Sequence, residues 1–508
     1  MSSLASARPS RARSSIFGTQ SLYKYINLNA ATQNESFFNL NIDTSAVDSM
    51  LIAASKDRFA LPWATLSAGA IYVGDLSKPG KFAQASTSDT PLLSGLKEKV
   101  SCLEFNPFDA NVLASGSEDG SIVLWTLPEG GALKSSLSVD GEAATLLNAH
   151  MKGVRNVLWH PCASNVLASS SSDMSVRLWD INAQKESGSF VEVDDKVTSI
   201  SWNYEGSNLV LSTRTSVLRL DGRTGSSEIL LDSPHAGKGK GIKACVMRDE
   251  NYVSTVGFGR MATREFKVWD VRSSGKPICT EAIDNGAGTL WPFYDADTGC
   301  VFLCAKGEAT IHIFDVPSDG KALKCAPCTV AGDPLAGLAF LSKASCNVEE
   351  VEVCKALRCT GTAVQPLSFT VPRSTEMKAW FQEDLYPPTR STTEPSMTAS
   401  DFFSGKTTAP ILSSLCPEGL KPVSEKPIKV VKRIDYTAKF EAERQAAAKA
   451  KELKDKEFER LQALAVQHAK FNVNKSMGGK QSKGIKVRGE YDAETDSDRS
   501  DSGWSDED

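Results

Sequence analysis

An internal repeat constrains this chain more than any other feature. Val100-Ser101-Cys102-Leu103-Glu104-Phe105-Asn106-Pro107 returns as Val154-Arg155-Asn156-Val157-Leu158-Trp159-His160-Pro161. The same offset carries Asn111-Val112-Leu113-Ala114-Ser115 onto Asn165-Val166-Leu167-Ala168-Ser169, Asp119 onto Asp173 and Trp125 onto Trp179. Each copy reads as a short apolar strand, a polar Pro turn, a second strand, a Ser/Asp/Gly turn, and an alternating run ending in Trp. That is period-2 strand chemistry punctuated by turns.

Weaker copies follow. Residues 197–221 contain Trp202-Asn203 and Leu218-Arg219-Leu220-Asp221; residues 242–271 end in Phe266-Lys267-Val268-Trp269-Asp270; residues 290–316 end in Ile311-His312-Ile313-Phe314-Asp315. A recurring Trp-Asp or Phe-Asp ending marks WD-type propeller blades, four-stranded sheets that need their neighbours for burial. His150, Asp173 and Trp179 match the hydrogen-bond network of such blades, a structural device and not a catalytic one. The preceding copy keeps Asp119 and Trp125 but has Leu96 where the His falls, and the copy at 197–221 lacks both Asp and Trp. Seven units at the interval from Val100 to Val154 occupy about 16–373, with residues 59–76 in the first blade and 335–371 in the last.

Composition narrows the function classes. The 508 residues are 41% hydrophobic and 23% charged, ordinary for a soluble protein, and no run of 18 apolar residues predicts a membrane span. The net charge of −5 is a cancellation: 38 basic and 45 acidic residues in 1–420, 18 and 8 in 421–488, one and nine in 490–508. An acidic body, a basic connector and an acidic tail make different offers to partners, and nucleic acid is not expected among them. No GxxxxGK[ST], HExxH, GxSxG or spaced carboxylate pair occurs, so no catalytic residue and no cofactor is expected. Lys238-Gly239-Lys240-Gly241 lacks the strand–loop–helix setting of a phosphate cradle.

The twelve cysteines are scattered through apolar runs and read as reduced thiols of a cytosolic protein. Cys325-Ala326-Pro327-Cys328 is the one close pair; without a second CxxC or a nearby His it predicts no metal site. The histidines at 150, 160, 235, 312 and 468 are too dispersed for a ligand set. Residues 1–15 carry Arg8, Arg11 and Arg13 among serines and alanines; with no helical apolar face they predict a flexible basic arm rather than a presequence.

Several segments resemble the coronins. They are Arg13-Ser14-Ser15-Ile16-Phe17-Gly18-Thr19; Gly257-Phe258-Gly259-Arg260-Met261; and Pro292-Phe293-Tyr294-Asp295-Ala296-Asp297-Thr298 with Leu303-Cys304-Ala305-Lys306-Gly307. After the blades come Phe369-Thr370-Val371-Pro372-Arg373 and Phe381-Gln382-Glu383-Asp384-Leu385-Tyr386-Pro387, then Phe402-Phe403-Ser404-Gly405 and Pro410-Ile411-Leu412. The likeness runs from Arg13 to about Lys432. It implies a propeller with a C-terminal extension packed beneath it, and a protein that binds filamentous actin and regulates its turnover, often with the actin-related-protein nucleating complex. Coronins carry a basic residue after a Tyr-x-x-Ile segment; here Tyr23-Lys24-Tyr25-Ile26 is followed by Asn27, so Arg11, Arg13 and Lys24 are the filament-binding candidates. Lys429, Lys432 and Arg433, in a Pro-containing linker, join them. That run suits a filament, lipid headgroups or plain solvent, and nothing in the sequence favours the lipid.

From Tyr436 to about Asn472 the residues are good helix formers without Gly or Pro. With Phe440 at heptad position a, the apolar a and d residues are Phe440, Ala447, Ala450, Leu461, Leu464 and Phe471, with Lys454 and Glu457 interrupting them. Arg460-Leu461-Gln462-Ala463-Leu464-Ala465 resembles the trimer motif of coronins, with Ala465 where its final Glu stands, so a homo-oligomer is expected, trimer or tetramer. The tail sequence Ser502-Gly503-Trp504-Ser505-Asp506-Glu507-Asp508 resembles acidic Trp-bearing tails that engage the nucleating complex, with Trp504 as the anchor. Thr495 and Ser505, each with an acid three positions on, are phosphorylation candidates.

The expected organisation is therefore all-β. A basic arm (1–15) precedes a seven-bladed WD-type propeller (16–373) and an extension packed on it (374–415). A basic linker (416–435), a coiled-coil helix (436–472) and a disordered tail (473–508, acidic from 490) follow. The expected setting is the cytoplasm and actin cytoskeleton; the rival reading is a WD adaptor in signalling or vesicle trafficking without direct filament contact.

Overall fold

Alternating apolar residues in short runs, separated by Asp/Gly/Ser turns, give strands with one face for each neighbouring sheet. In the computed structural model these strands form seven successive sheets. Residues 13–15, 18–45, 49–65, 69–82, 90–183, 185–186, 191–237, 241–273, 275–426 and 436–476 are described. The inner strands begin at Ala53, Val100, Val154, Ser199, Lys243, Leu290 and Gly337. The offset from Val100 to Val154 that reveals the repeat is thus the longest interval between blades, not the typical one.

Blades 2 and 3 are the related pair. Blade 2 runs Val100–Phe105, Val112–Ser117, Ser121–Thr126 and Ala144–Asn148. Blade 3 runs Val154–Trp159, Val166–Ser171 and Ser175–Asp180, closed by Lys185–Glu186 and Val191–Glu192. Register follows the repeat: Phe105 opposes Leu113 as Trp159 opposes Leu167, and both inner strands carry an irregularity near their start. Blade 1 is built on Arg58–Trp63 and Ala70–Asp75.

Ring closure is not foreseen by the reading of 16–373 as successive units. Asn27–Ala30 and Phe37–Phe38 pair with Ala363–Thr370, so a segment from the start of the chain supplies the outer edge of the last blade. Such pairing ties the start of the chain to the last blade and closes the ring.

The core lies between sheets. Trp125, Phe59, Phe266, Phe302, Phe314 and Phe369 are fully buried, and Phe266 of blade 5 stacks on Phe314 of blade 6 at 4.7 Å. Buried Arg264 donates from Nε and Nη2 to Asp284, both at 2.5 Å, and from Nη1 to Glu308 at 2.6 Å, tying blade 5 to blade 6. This pairing offsets the cost of taking the guanidinium out of water.

The chain divides into two units, Met1–Lys426 and Pro427–Asp508. In the second the described element is one continuous helix, Tyr436–Ser476, and every side chain described in it, from 440 to 467, is exposed. Among the described residues no helix is long and apolar enough to cross a membrane.

Candidate functional site

Hydrogen-bonded networks pin turns in blades 2, 3 and 5. In blade 3, His150 Nε2 lies 2.8 Å from Ser169 Oγ, and Trp179 Nε1 donates to that oxygen at 2.9 Å. His150 Nδ1 lies 3.2 Å from Asp173 Oδ2, whose carboxylate also accepts from the backbone N–H groups of Met151 and Ser175 and from Ser175 Oγ. All groups are satisfied when Nδ1–H donates to Asp173 and Nε2 accepts from Ser169. Burial lowers His150 to about 4, against the pull of Asp173. In blade 2, Trp125 Nε1 donates to Ser115 Oγ at 2.9 Å and Asp119 accepts from Ser121, while Leu96 packs into the core instead of a His.

Blade 5 contains a counterpart that the repeat pattern does not reveal. His235 Nε2 and Trp269 Nε1 converge on Thr255 Oγ1 at 2.9 and 2.8 Å, and Glu265 lies 3.5 Å from His235 Nδ1. Thr255 stands 14 positions before its Trp, where Ser169 stands 10 before Trp179. A longer turn around Gly259 hides the alignment. The usable signal is His235, upstream of Trp269 much as His150 is upstream of Trp179.

His160 is the second omission. Its Nδ1 accepts the backbone N–H groups of Cys162 and Ala163 at 3.0 and 2.7 Å, and its Nε2 lies 2.9 Å from the Gly206 carbonyl. At the equivalent position of blade 2, Asn106 Oδ1 accepts from Phe108 and Asp109. His160 adds a ring: Trp202 and Phe402 lie 4.6 and 4.7 Å from it, centroid to centroid. Burial pushes it down to about 3, so it serves as a neutral, packed hub.

Phe402 belongs to the segment that follows the blades. Its short helix, Ala399–Phe403, starts at Thr398, whose hydroxyl accepts from Asp401 N–H while the Asp401 side chain faces back. Upstream, Tyr386 Oη donates to Glu352 O, Thr389 Oγ1 to Asp297 Oδ2, and Arg390 Nη2 to Tyr204 O. Ser396 N–H donates to Cys162 O, and Ser164 N–H to Met397 O. The segment thus crosses blades 7, 6, 4 and 3 in turn. It lies on the face where inner strands turn into second strands, beside the Asn106 and His160 turns.

Of the cationic candidates, Lys24 and Arg13 lie among the described residues. Lys24 is exposed, 5.2 Å from the Tyr25 ring, which is itself 65% exposed. Asn27, also exposed, opens the ring-closing strand opposite Thr370. Arg13 lies on a short strand, Arg13–Ser15, paired with Gly18–Gln20. Arg11, Lys429, Lys432, Arg433, Thr495, Ser505 and Trp504, with the Lys238 segment, the basic arm before Arg13 and the acidic tail, lie outside the described residues. Cys325 and Cys328 are buried beside Ser21 and the Ile26 carbonyl, and burial pushes their thiols up to about 12 and about 11.

On the helix, Phe440, Leu461 and Leu464 are 68%, 60% and 47% exposed, with Ala447 and Ala450 between them. Phe471 lies on the same helix. Leu453 and Phe458, 69% and 62% exposed, fall at positions g and e and widen the apolar stripe beyond the a and d residues.

Seven successive antiparallel sheets with a His–Ser–Asp–Trp turn network define a WD-type β-propeller. Comparison with known proteins agrees: the WD domain, G-beta repeat matches residues 90–126 and 141–180, a further type of WD40 repeat matches 364–410, and a domain of unknown function (DUF1899) matches 17–81. Coronin-A of Dictyostelium discoideum is 32% identical over 429 residues, 83% of this chain and 92% of that protein. Coronin-7 of Mus musculus is 30% identical over 459 residues, 89% of this chain and 48% of its own length; the chain spans about half of that relative. The crystal structure of the WD40 domain from Toxoplasma gondii coronin superposes with a TM-score of 0.69 at 27% identity, over 78% of this chain and 98% of that one. The chain belongs to the coronin family.

Proposed function

We propose that this protein binds filamentous actin in the cytoplasm and organises filament assembly, crosslinking and turnover as an oligomer. The observation that carries this reading is the family match to a coronin of similar length, which runs through the propeller and the segment strapped across it. A ring of packed sheets with buried turn networks presents its loops to protein partners. Lys24, in the exposed turn just before the ring-closing strand, supplies positive charge for an acidic filament surface with Arg11 and Arg13; Lys429, Lys432 and Arg433 add to it.

Oligomerisation is supported by the helix. Residues such as Leu461 and Phe458 gain about 1.5–3 kcal/mol each when buried, and the propeller's core residues show what this chain does with such side chains when it can cover them. Pairing several helices along Phe440, Ala447, Ala450, Leu461, Leu464 and Phe471 gives a trimer or tetramer, and joining several filament sites raises avidity. Trp504 in the acidic tail anchors the nucleating complex, with Thr495 and Ser505 adding charge when phosphorylated.

Co-sedimentation with purified filaments tests this reading, comparing the full chain with one ending before Tyr436. Pelleting that weakens on truncation is expected; no pelleting of either protein favours the adaptor reading, which Asn27 at the family's basic position supports. Replacing Arg11, Arg13 and Lys24 by Glu should release the filament. In Leu461→Asp/Leu464→Asp, mass from light scattering should fall to that of a single chain.

A further inference from the structure

The central channel departs in charge from the body that surrounds it. Residues 1–420 carry an excess of seven acidic residues, yet the channel, a cavity of about 950 Å³, is lined by Lys56, Arg155, Lys243, Arg248 and Arg390 against one carboxylate, Glu104. Glu104 accepts the Trp159 backbone N–H at 2.9 Å, and burial pushes it up to about 8, so at neutral pH it is mostly uncharged. The lining therefore carries more positive than negative side chains.

Two of these cations meet at one place. The guanidiniums of Arg248 and Arg390 lie 4.5 and 4.6 Å from the centroid of the Tyr204 ring. Arg248 makes no side-chain hydrogen bond and no ion pair among the described residues, and Arg390 spends one donor on the Tyr204 carbonyl. Arg390 Nε and Tyr204 Oη are buried without a hydrogen-bond partner there. Of the nearby carboxylates, Asp295 pairs with buried Lys343; Asp297 accepts from Thr389 Oγ1 at 2.6 Å, and burial and the neighbouring Asp295 push it up against the pull of Lys343 and Arg248. By contrast Lys243 donates to Thr198 O and sits 3.5 Å over Trp291, and Arg155 Nε donates to Ser172 Oγ. Half-buried guanidiniums with open donors are matched by an anion, and their planar forks suit phosphate better than a single point charge would.

We propose that the strapped mouth of the channel binds a soluble, multiply charged phosphate compound, held by Arg248 and Arg390 beside Tyr204. Arg248 comes from the turn after the inner strand of blade 5, Tyr204 from the same turn of blade 4, and Arg390 from the strap itself. Ligand binding would therefore lock the strap to the ring, stabilising the folded state by mass action. The volume suits a small molecule, and a ligand inside a ring of strands must enter as a free solute, which a bilayer surface cannot do.

Inorganic tripolyphosphate is a suitable probe, titrated calorimetrically into the full chain at low and high salt. One saturable site per chain is expected, weakened by salt, with a rise in melting temperature. Arg248→Gln should reduce affinity about tenfold or more and shrink the rise in melting temperature that the ligand produces. Arg390→Gln should do the same for affinity, and Lys152→Gln, at an exposed site, should not. Absence of saturable binding overturns the proposal, as does unchanged affinity in Arg248→Gln. Flotation with phosphoinositide vesicles in the absence of soluble-anion binding overturns it equally.

Discussion

Blades 2 and 3 are two copies of one strand template with different side-chain duties. Their registers coincide across three strands, and both keep a Trp indole on a buried Ser. Three aligned pairs then diverge: Leu96 and His150, Asn106 and His160, Gly120 and Met174. At the first pair an apolar side chain replaces a network member and the blade still forms. At the second, both side chains cap the same turn, but only His160 offers a ring on which the strap docks. At the third, Gly120 and Met174 both have positive φ, 92° and 67°. A Cβ at Gly120 would meet the His150 carbonyl at 2.3 Å, so glycine is required there. The backbone is common property; coupling to other parts of the chain is assigned position by position.

Exchanging residues between the copies tests this. The largest effect is expected for His160→Asn, which copies blade 2: the cap is kept but the ring between Trp202 and Phe402 is lost, at about 3 kcal/mol. Denaturant unfolding should record the loss, with faster proteolysis near residues 391–405. An unchanged midpoint would show that the strap does not depend on the hub.

Acid titration reads the next largest effect. His150 titrates near 4 when folded, against 6.5 for an unperturbed His. Its stabilising contribution is therefore whole above about pH 6.5 and is lost as pH falls toward 4, about 3 kcal/mol in all. His150→Leu, which copies the Leu96 of blade 2, should flatten that part of the pH–stability curve. At neutral pH the same variant should cost about 1–3 kcal/mol, because Ser169 and Asp173 lose a buried partner. If the acid limb is unaltered in His150→Leu, the network does not control it.

The smallest effect has the opposite sign. Met174→Gly relieves a left-handed residue that is 40% exposed and should stabilise by up to about 1 kcal/mol, raising the melting temperature slightly. Gly120→Met should be strongly destabilising. Equal responses at the two sites would break the comparison.

Much of the architecture was legible because blade chemistry is local. Alternation, Asp-containing turns and terminal Trp residues fall within a single blade, and the His150–Asp173–Trp179 spacing could be read directly. The same locality misled the spacing estimate: blades 2 and 3 are recognisable because they are most alike, not because their interval is typical. His235 and His160 look scattered along the chain. Each acts with a partner brought near by strand pairing, by an enlarged turn, or, in the case of Phe402, by a strap that follows the last blade. On the helix a strict a/d frame takes in Leu461 and Leu464 but passes over the equally exposed Leu453 and Phe458, which fall at g and e.

By itself the sequence determined the repeated strands, the turn chemistry and the family, since these depend on residues close in the chain or collinear with relatives. Only the tertiary structure decided that residues 27–38 close the ring, that Glu104 sits in a channel where burial suppresses its charge, and that Arg248, Tyr204 and Arg390 meet. Those three come from separate turns, and no periodicity in a linear chain encodes which turns a closed ring will place side by side.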